Sequence, residues 1–311
     1  MAKSFPTRWT RGFTLIEMIV VIVITGILAG IVAVFIRSPV ESYVNASRRA
    51  ELTDIADTAV RRIARDVRLA LPNSLRNPQD GSTACVEFIP TRIGGRYRNA
   101  LTAAGAGDML DFTAVDGSFE MLALNGNLPA TSRIVANDIV VVYNTESCDA
   151  ATCTGNAYQG RNAIQVAAVT APGATPDTTA ITFVGAGAAA PFNRKQLPSA
   201  SPFFRFQVIP NNEHVVSYAC TGVTLAGGGT LSRFTRTLAA AWLNPASCAA
   251  MTTGATAAVL ANNVSACTLR YEPPGSSTGL GNNGILAISL QITQAGENVA
   301  LYHQVHVDNS P

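Results

Sequence analysis

Residues Phe13 to Ile36 read FTLIEMIVVIVITGILAGIVAVFI, a run of 24 residues interrupted by one charge, Glu17. As a helix rising ~1.5 Å per residue the run would reach ~36 Å, enough to cross a hydrocarbon core of ~30 Å with some tilt. Residues 1–12, MAKSFPTRWTRG, carry Lys3, Arg8 and Arg11 and no acid, while Arg37 and Glu41 balance each other just after the run. A basic flank on the N-terminal side puts that end in the cytoplasm and the C-terminal bulk across the membrane. A secretory signal peptide has an apolar stretch of only ~7–15 residues, followed by a small-x-small cleavage site. Here the run is longer, and Ile31-Val32-Ala33 is a poor site. A lipoprotein signal needs a cysteine near the end of the run, and the first cysteine is Cys85. A plain signal anchor accommodates everything except Glu17. An ionised carboxylate at that depth costs ~2.5 kcal/mol or more unless something neutralises it, so Glu17 marks a functional position.

A cut after Gly12 would supply the neutralising group. Phe13 would then carry a free α-amine, and Glu17 lies four residues on, on the same helix face. Such an amine titrates near ~8 and is cationic below that. It can pair with the carboxylate within one chain or between neighbouring helices. Gly26 and Gly30 read as GxxxG, which permits close helix approach in a membrane, although small residues also recur in such runs by chance.

The string Arg11-Gly12-Phe13-Thr14-Leu15-Ile16-Glu17 resembles the class III signal of type IV pilins and type II secretion pseudopilins. The resemblance implies cleavage after Gly12 by a prepilin peptidase, N-methylation of Phe13, and an assembly role for the Glu17 carboxylate. It also implies an α+β fold: a long N-terminal pilin helix, membrane half plus amphipathic half, packed on a β-rich C-terminal head. Many major pilins carry an early helix proline; this chain has none between Phe13 and Ser38.

Composition agrees with a membrane-to-envelope chain. Of 311 residues 48% are hydrophobic, which excludes wholesale disorder, and only 14% are charged, against ~25% in soluble proteins. The net charge of +2 excludes a polybasic nucleic-acid binder, and the +3 of residues 1–12 leaves −1 from Phe13 onward. Lys3 and Lys195 are lysines; the other twenty basic residues are arginines.

Beyond Pro39 the pattern turns amphipathic. Leu52, Ile55, Ala59, Ile63, Val67 and Ala70 recur three or four apart, with the pairs Asp57–Arg61 and Arg62–Asp66 on the other side and Pro72-Asn73 closing the element. Arg61, Arg62, Arg65 and Arg68 could suit an anionic partner, but interleaved acids and a helix C-terminus favour an ordinary solvated face. The expected layout is therefore a cytoplasmic leader over 1–12, a transmembrane half over 13–36, an amphipathic half over 37–71 and an extracytoplasmic β-rich head over 72–311. Strands are expected at 85–89, 139–143, 203–209 and 215–218. A terminal hairpin is expected to pair 285–292 with 299–307 through a five-residue connection, 294–298. The Ala-, Gly- and Thr-rich stretches 170–191 and 221–230 read as surface loops, and one head domain is expected, with two small sheets also possible.

Four head strings narrow the resemblance. Residues 61–76 (RRIARDVRLALPNSLR), Cys85-Val-Glu-Phe-Ile-Pro90, Asn263-Val-Ser-Ala-Cys267 and the tail Leu301-Tyr-His-Gln-Val-His-Val-Asp-Asn309 resemble the MshO family of minor pilins of MSHA pili. The pseudopilin GspJ and PilW-like minor pilins are similar at the helix only. Membership would imply a low-abundance subunit that initiates or caps a type IV pilus. Its partners would be the other minor pilins, the major pilin, the prepilin peptidase and the inner-membrane platform of the pilus machine. It would sit in the inner membrane by one span, with its head in the periplasm, until incorporated. The competing readings are a type II secretion minor pseudopilin and, from another class, a signal-anchored periplasmic binding or hydrolytic protein.

Catalytic patterns are weak. Gly275-Ser-Ser277-Thr-Gly279 matches G-x-S-x-G, but Pro273-Pro274 precede it and Gly281-Asn-Asn-Gly284 follow, without the strand and helix that motif needs. A hydrolytic reading would require Ser277 with His303 or His306. Those histidines, three apart on a strand, point to opposite faces, and His214 is the remaining one. Gly227-Gly-Gly229 lacks the Lys-Ser/Thr of a phosphate loop. No catalytic residue, cofactor, metal site or nucleic-acid partner is expected. The six cysteines read as disulfides in an oxidising compartment: Cys148–Cys153 as the local pair, then Cys248–Cys267 and Cys85–Cys220, among fifteen possible pairings.

Overall fold

The computed structural model describes residues 12–146, 154–188, 190–275 and 283–311. The chain divides into two units, Met1–Glu51 and Leu52–Pro311. Helix α1 (Leu15–Arg68) runs from the first into the second. From Met18 to Ile36 it is apolar on every face, with mean hydropathy 3.2 over the best 18-residue window of the helix and none of that window buried. Ile16, Ile22, Ile27, Val34 and Phe35 are all more than half exposed. An all-round apolar helix has no soluble use for its surface. The helix continues through Pro39, which removes the N–H that would bond the Phe35 carbonyl.

In the second unit α1 is one-sided. Leu52, Ala56, Ala59, Val60, Ile63, Ala64 and Val67 are buried, at the three-and-four spacing of one helical face. This stripe shares a core with Val216, Tyr218, Leu231, Val264, Ile288, Leu290 and Val305 of an antiparallel sheet. Helix α1 stops at Arg68, three residues before the expected limit. The chain then turns back through Asn73, whose φ is +58°, and Leu71 N–H bonds the Ile89 carbonyl.

The first sheet has the order β1-β8-β9-β10-β11-β12, all neighbours antiparallel. Its strands are β1 (Cys85–Phe88), β8 (Val215–Thr221), β9 (Gly229–Arg236), β10 (Thr256–Glu272), β11 (Asn283–Gln294) and β12 (Glu297–Asp308). The second sheet, in the order β2-β7-β4-β5-β6-β3, is built wholly from residues between β1 and β8. It holds β2 (Ile93–Arg96), β3 (Ser118–Met121), β4 (Ile139–Val141), β5 (Ala163–Thr170), β6 (Thr179–Phe183) and β7 (Arg205–Ile209). Its own core gathers Phe119, Val140, Ile164, Val166, Ile181, Phe206 and Val208. A third cluster, with Leu71, Ile89, Tyr158, Ile209 and Val215, adjoins both within the same unit. A short helix, α2 (Cys248–Thr252), is capped by the Ser247 side chain. The fold is the α+β, pilin-like layout of a long apolar helix followed by a two-sheet head.

Several sequence expectations are corrected. The stretch 170–191 is not all loop, because Thr179–Phe183 pairs with both β5 and β3. The stretch 221–230 is the β8–β9 connection, with β9 already begun at Gly229. Strand β7 starts at Arg205, since Phe203 and Phe204 both have φ near +58° and turn the chain so that the Phe204 carbonyl accepts from Tyr97. The terminal hairpin turns on two residues, not five. Ala295 and Gly296 have φ of +49° and +85°, the doubly positive geometry of a type I′ turn, and Gln294 pairs directly with Glu297.

Candidate functional site

The helix start is built by its own residues. Thr14 precedes α1, its Oγ1 accepts from the Glu17 N–H at 3.3 Å, and its hydroxyl donates toward Glu17 Oε2 at 3.5 Å. Thr14 thus serves as a side-chain N-cap, and the Glu17 carboxylate sits where the helix dipole is positive. Phe13 is 79% exposed, and Gly12 and Glu17 are exposed too. Glu17 therefore stands in the first turn of an uncovered apolar helix, one turn from Phe13. A Cβ at Gly26 or Gly30 would meet nothing within 4 Å, so both small residues face open space.

Farther along, Asp66 is a junction that the sequence does not reveal. Pairing with Arg62 at 3.1 Å was legible as an i,i+4 contact, but Asp66 also accepts from the Tyr218 hydroxyl at 2.7 Å and from Arg233 Nε at 2.8 Å. Arg233 in turn pairs with Glu213. Burial would lower the Arg233 pKa, but Asp66 and Glu213 outweigh it and raise it. The Asp57–Arg61 pair, by contrast, stays solvated as expected. Asp66 thus ties the helix to β8 and β9 with charge-assisted bonds.

Three carboxylates are fully buried: Glu87, Glu120 and Asp138, the last paired with Arg92 at 3.3 Å. Glu87 on β1 receives Arg76 at 2.7 Å and Trp242 Nε1 at 3.1 Å, while Arg76 lies 3.6 Å over the Tyr158 ring. Burial raises the Glu87 pKa despite Arg76. Glu120 on β3 accepts from Arg98, Thr178 and the Thr175 N–H at 2.6, 2.7 and 2.8 Å. Burial would raise its pKa, but these bonds prevail and hold it at about 2. Glu87 and Glu120 are both engaged by neighbouring side chains of the head and read as structural posts.

The cysteine pairing differs from the sequence expectation. Cys85 bonds Cys248, and Cys220 bonds Cys267, with Cα separations of 5.6 and 6.3 Å. Cys85–Cys220 and Cys248–Cys267 are therefore wrong pairs. The reason is strand parity: Cys85 is opposite Ala219 in the β1–β8 register, so Cys220 faces the other side of the sheet. Cys85 turns toward α2, where Met251 and Cys248 lie, whereas Cys220 turns into the core under α1. Cys148 and Cys153 lie outside the described residues, as does Ser277.

His303 and His306 take opposite faces of β12, the first half-buried and the second exposed. His214 accepts the Leu238 N–H on Nδ1 at 2.8 Å and stacks edge-on to Phe192; burial lowers its pKa to about 4 despite a bond with Asn211. Among the described residues no group of three or more His, Cys, Asp or Glu is placed to hold a metal.

Residues 10–33 match the family model described as the prokaryotic N-terminal methylation motif. The motif is a type IV pilin-like prepilin signal and indicates a prepilin-peptidase substrate; joined to this helix, it fits anchoring in the inner membrane. No curated protein and no solved structure matches the chain.

Proposed function

We propose that the chain is a minor pilin of an MSHA-type pilus. The observation that carries this reading is the methylation motif at 10–33, which falls on the start of an exposed, all-apolar helix whose far end packs on a β-rich head. In this reading residues 1–12 are a cytoplasmic leader, removed after Gly12. Residues 13–36 span the inner membrane as a single pass, and 37–71 continue the helix toward a periplasmic head of 72–311. Phe13 becomes the methylated N-terminus. Its amine then takes the place of the Thr14 hydroxyl as the main partner of Glu17, in its own chain or a neighbour's, and neutralises that acid in lipid. The work is assembly: helix packing with the other minor pilins and the major pilin on the inner-membrane platform, without catalysis or cofactor. The four head strings that resemble the MshO family support an MSHA-type subunit over a type II secretion pseudopilin, and a role in initiation or at the tip.

Intact-mass and peptide spectra of the mature protein are expected to begin at an N-methylated Phe13. A retained leader in a cell with active prepilin peptidase would refute the reading. Glu17→Ala is expected to leave cleavage intact and to lower the amount recovered in sheared pili at least several-fold; normal incorporation would remove the assembly role. Loss of MSHA piliation on deletion of the gene, with secretion unaffected, separates the pilus subunit from the pseudopilin.

A further inference from the structure

Strand β12 closes one side of the first sheet and pairs only with β11, without a break in register across its twelve residues. Among the described residues no backbone group bonds its other side. Every second residue of that edge directs its N–H and C=O away from β11. Folded proteins shield such edges with short strands, bulges, proline or lysine, and β12 has none of these. On the face toward α1, Val305 and Val307 are buried, but Val299, Leu301 and His303 are only half covered, so the core ends short of the edge.

Beside this edge the flank of α1 stands over an open groove of about 730 Å³, whose lining includes Arg61, Arg65, Arg68, Leu69 and His303 together with one acid, Asp57. Arg61 is engaged by Asp57, whereas Arg65 and Arg68 have no acidic partner among the described residues. Leu69 is 55% exposed. An open edge, an unfinished apolar face and two unanswered guanidinium groups therefore meet in one place.

We propose that β12 accepts an added strand from a partner protein, an extended segment bearing acidic side chains at every second position on the side facing α1. Edge hydrogen bonds supply affinity, and Arg65 and Arg68 select the charge, as in other strand-addition complexes. A second copy of this chain is a poor occupant. Self-pairing of β12 about a twofold axis would bring two Arg65–Arg68 rows onto one face of the joined sheet. Between Val299 and Val307 the α1-facing positions offer no acid to answer them. The inference does not depend on the pilus assignment.

The test uses the full chain in lipid nanodiscs and two ten-residue labelled peptides, one alternating threonine with glutamate and one alternating threonine with lysine. The glutamate peptide is expected to bind at least tenfold more tightly and to slow amide exchange along β12, with β1 and the second sheet unchanged. The double variant Arg65→Glu, Arg68→Glu alters two exposed side chains; with an unchanged melting temperature, it is expected to reverse the preference. Equal binding of both peptides, protection elsewhere, or a preference unaltered in the variant would overturn the proposal. So would Arg65- and Arg68-dependent binding of a ten-nucleotide single strand in place of the glutamate peptide.

Discussion

Replacing Glu120 by glutamine removes one charge from the second sheet and changes little else in shape. In the native head Glu120 has no solvent exposure, and Arg98, Thr178 and Thr175 hold its carboxyl at about 2, against 4.5 for an ordinary glutamate. That gap, at ~1.4 kcal/mol per pH unit, corresponds to about 3 kcal/mol of stability at neutral pH. Because the folded value lies below the unfolded one, the contribution is complete above pH ~4.5 and is lost as pH falls toward 2. Urea unfolding of the full chain in detergent, followed by Trp242 fluorescence, would measure it. The native protein is expected to exceed Glu120→Gln by about 3 kcal/mol at pH 7 and by well under half of that near pH 2.5. Taking the difference between the two proteins cancels every other titrating group. An equal gap at both pH values, or a gap under about 1 kcal/mol at pH 7, would refute the assignment of Glu120 as a charged post.

Asp66→Asn is expected to destabilise the head by about 1–3 kcal/mol, since it weakens the charged bonds to Arg233 and Tyr218 together. Asp57→Asn, which removes a solvated pair, is expected to leave the unfolding midpoint nearly unchanged, and equal effects would deny Asp66 its role. Non-reducing peptide maps are expected to contain Cys85 joined to Cys248 and Cys220 joined to Cys267. A Cys85–Cys220 peptide would contradict the β1–β8 register.

The helix was legible in the sequence because its information is local. A basic leader, an apolar run with a single acid and the stripe from Leu52 to Val67 are all read within a few turns, whereas the Thr14 cap was not read in advance. The last hairpin was legible for the same reason, although its turn was read as five residues where Ala295 and Gly296 suffice. The sheets were harder. Strands β5, β6, β9 and β10 are rich in Ala, Thr, Ser and Asn, small or polar residues that carry little of the apolar alternation that marks a strand. Cysteine pairing failed for a related cause: which face Cys85 or Cys220 occupies is decided by register with a strand 130 residues away. Asp66 looked solvated because Tyr218 and Arg233 reach it only in three dimensions. The methylation motif at 10–33 needs no distant partner to be recognised, because its pattern lies in consecutive residues.

The whole second sheet departs after β1 and returns before β8. This arrangement sets an order of events during synthesis. Strand β1 and the apolar stripe of α1 leave the ribosome early, yet their first sheet partner begins only at Val215. At ~5–20 residues per second, roughly 6–25 seconds pass before that partner exists. In that interval the second sheet can settle by itself, because its strands are consecutive in the chain. Leu52, Ile63 and Val67 meanwhile lack the β8 to β12 side chains that complete their core, and Cys85, on the other face of β1, waits later still for Cys248. The last strands to be made, β10 to β12, are thus among those that complete the sheet over the helix stripe.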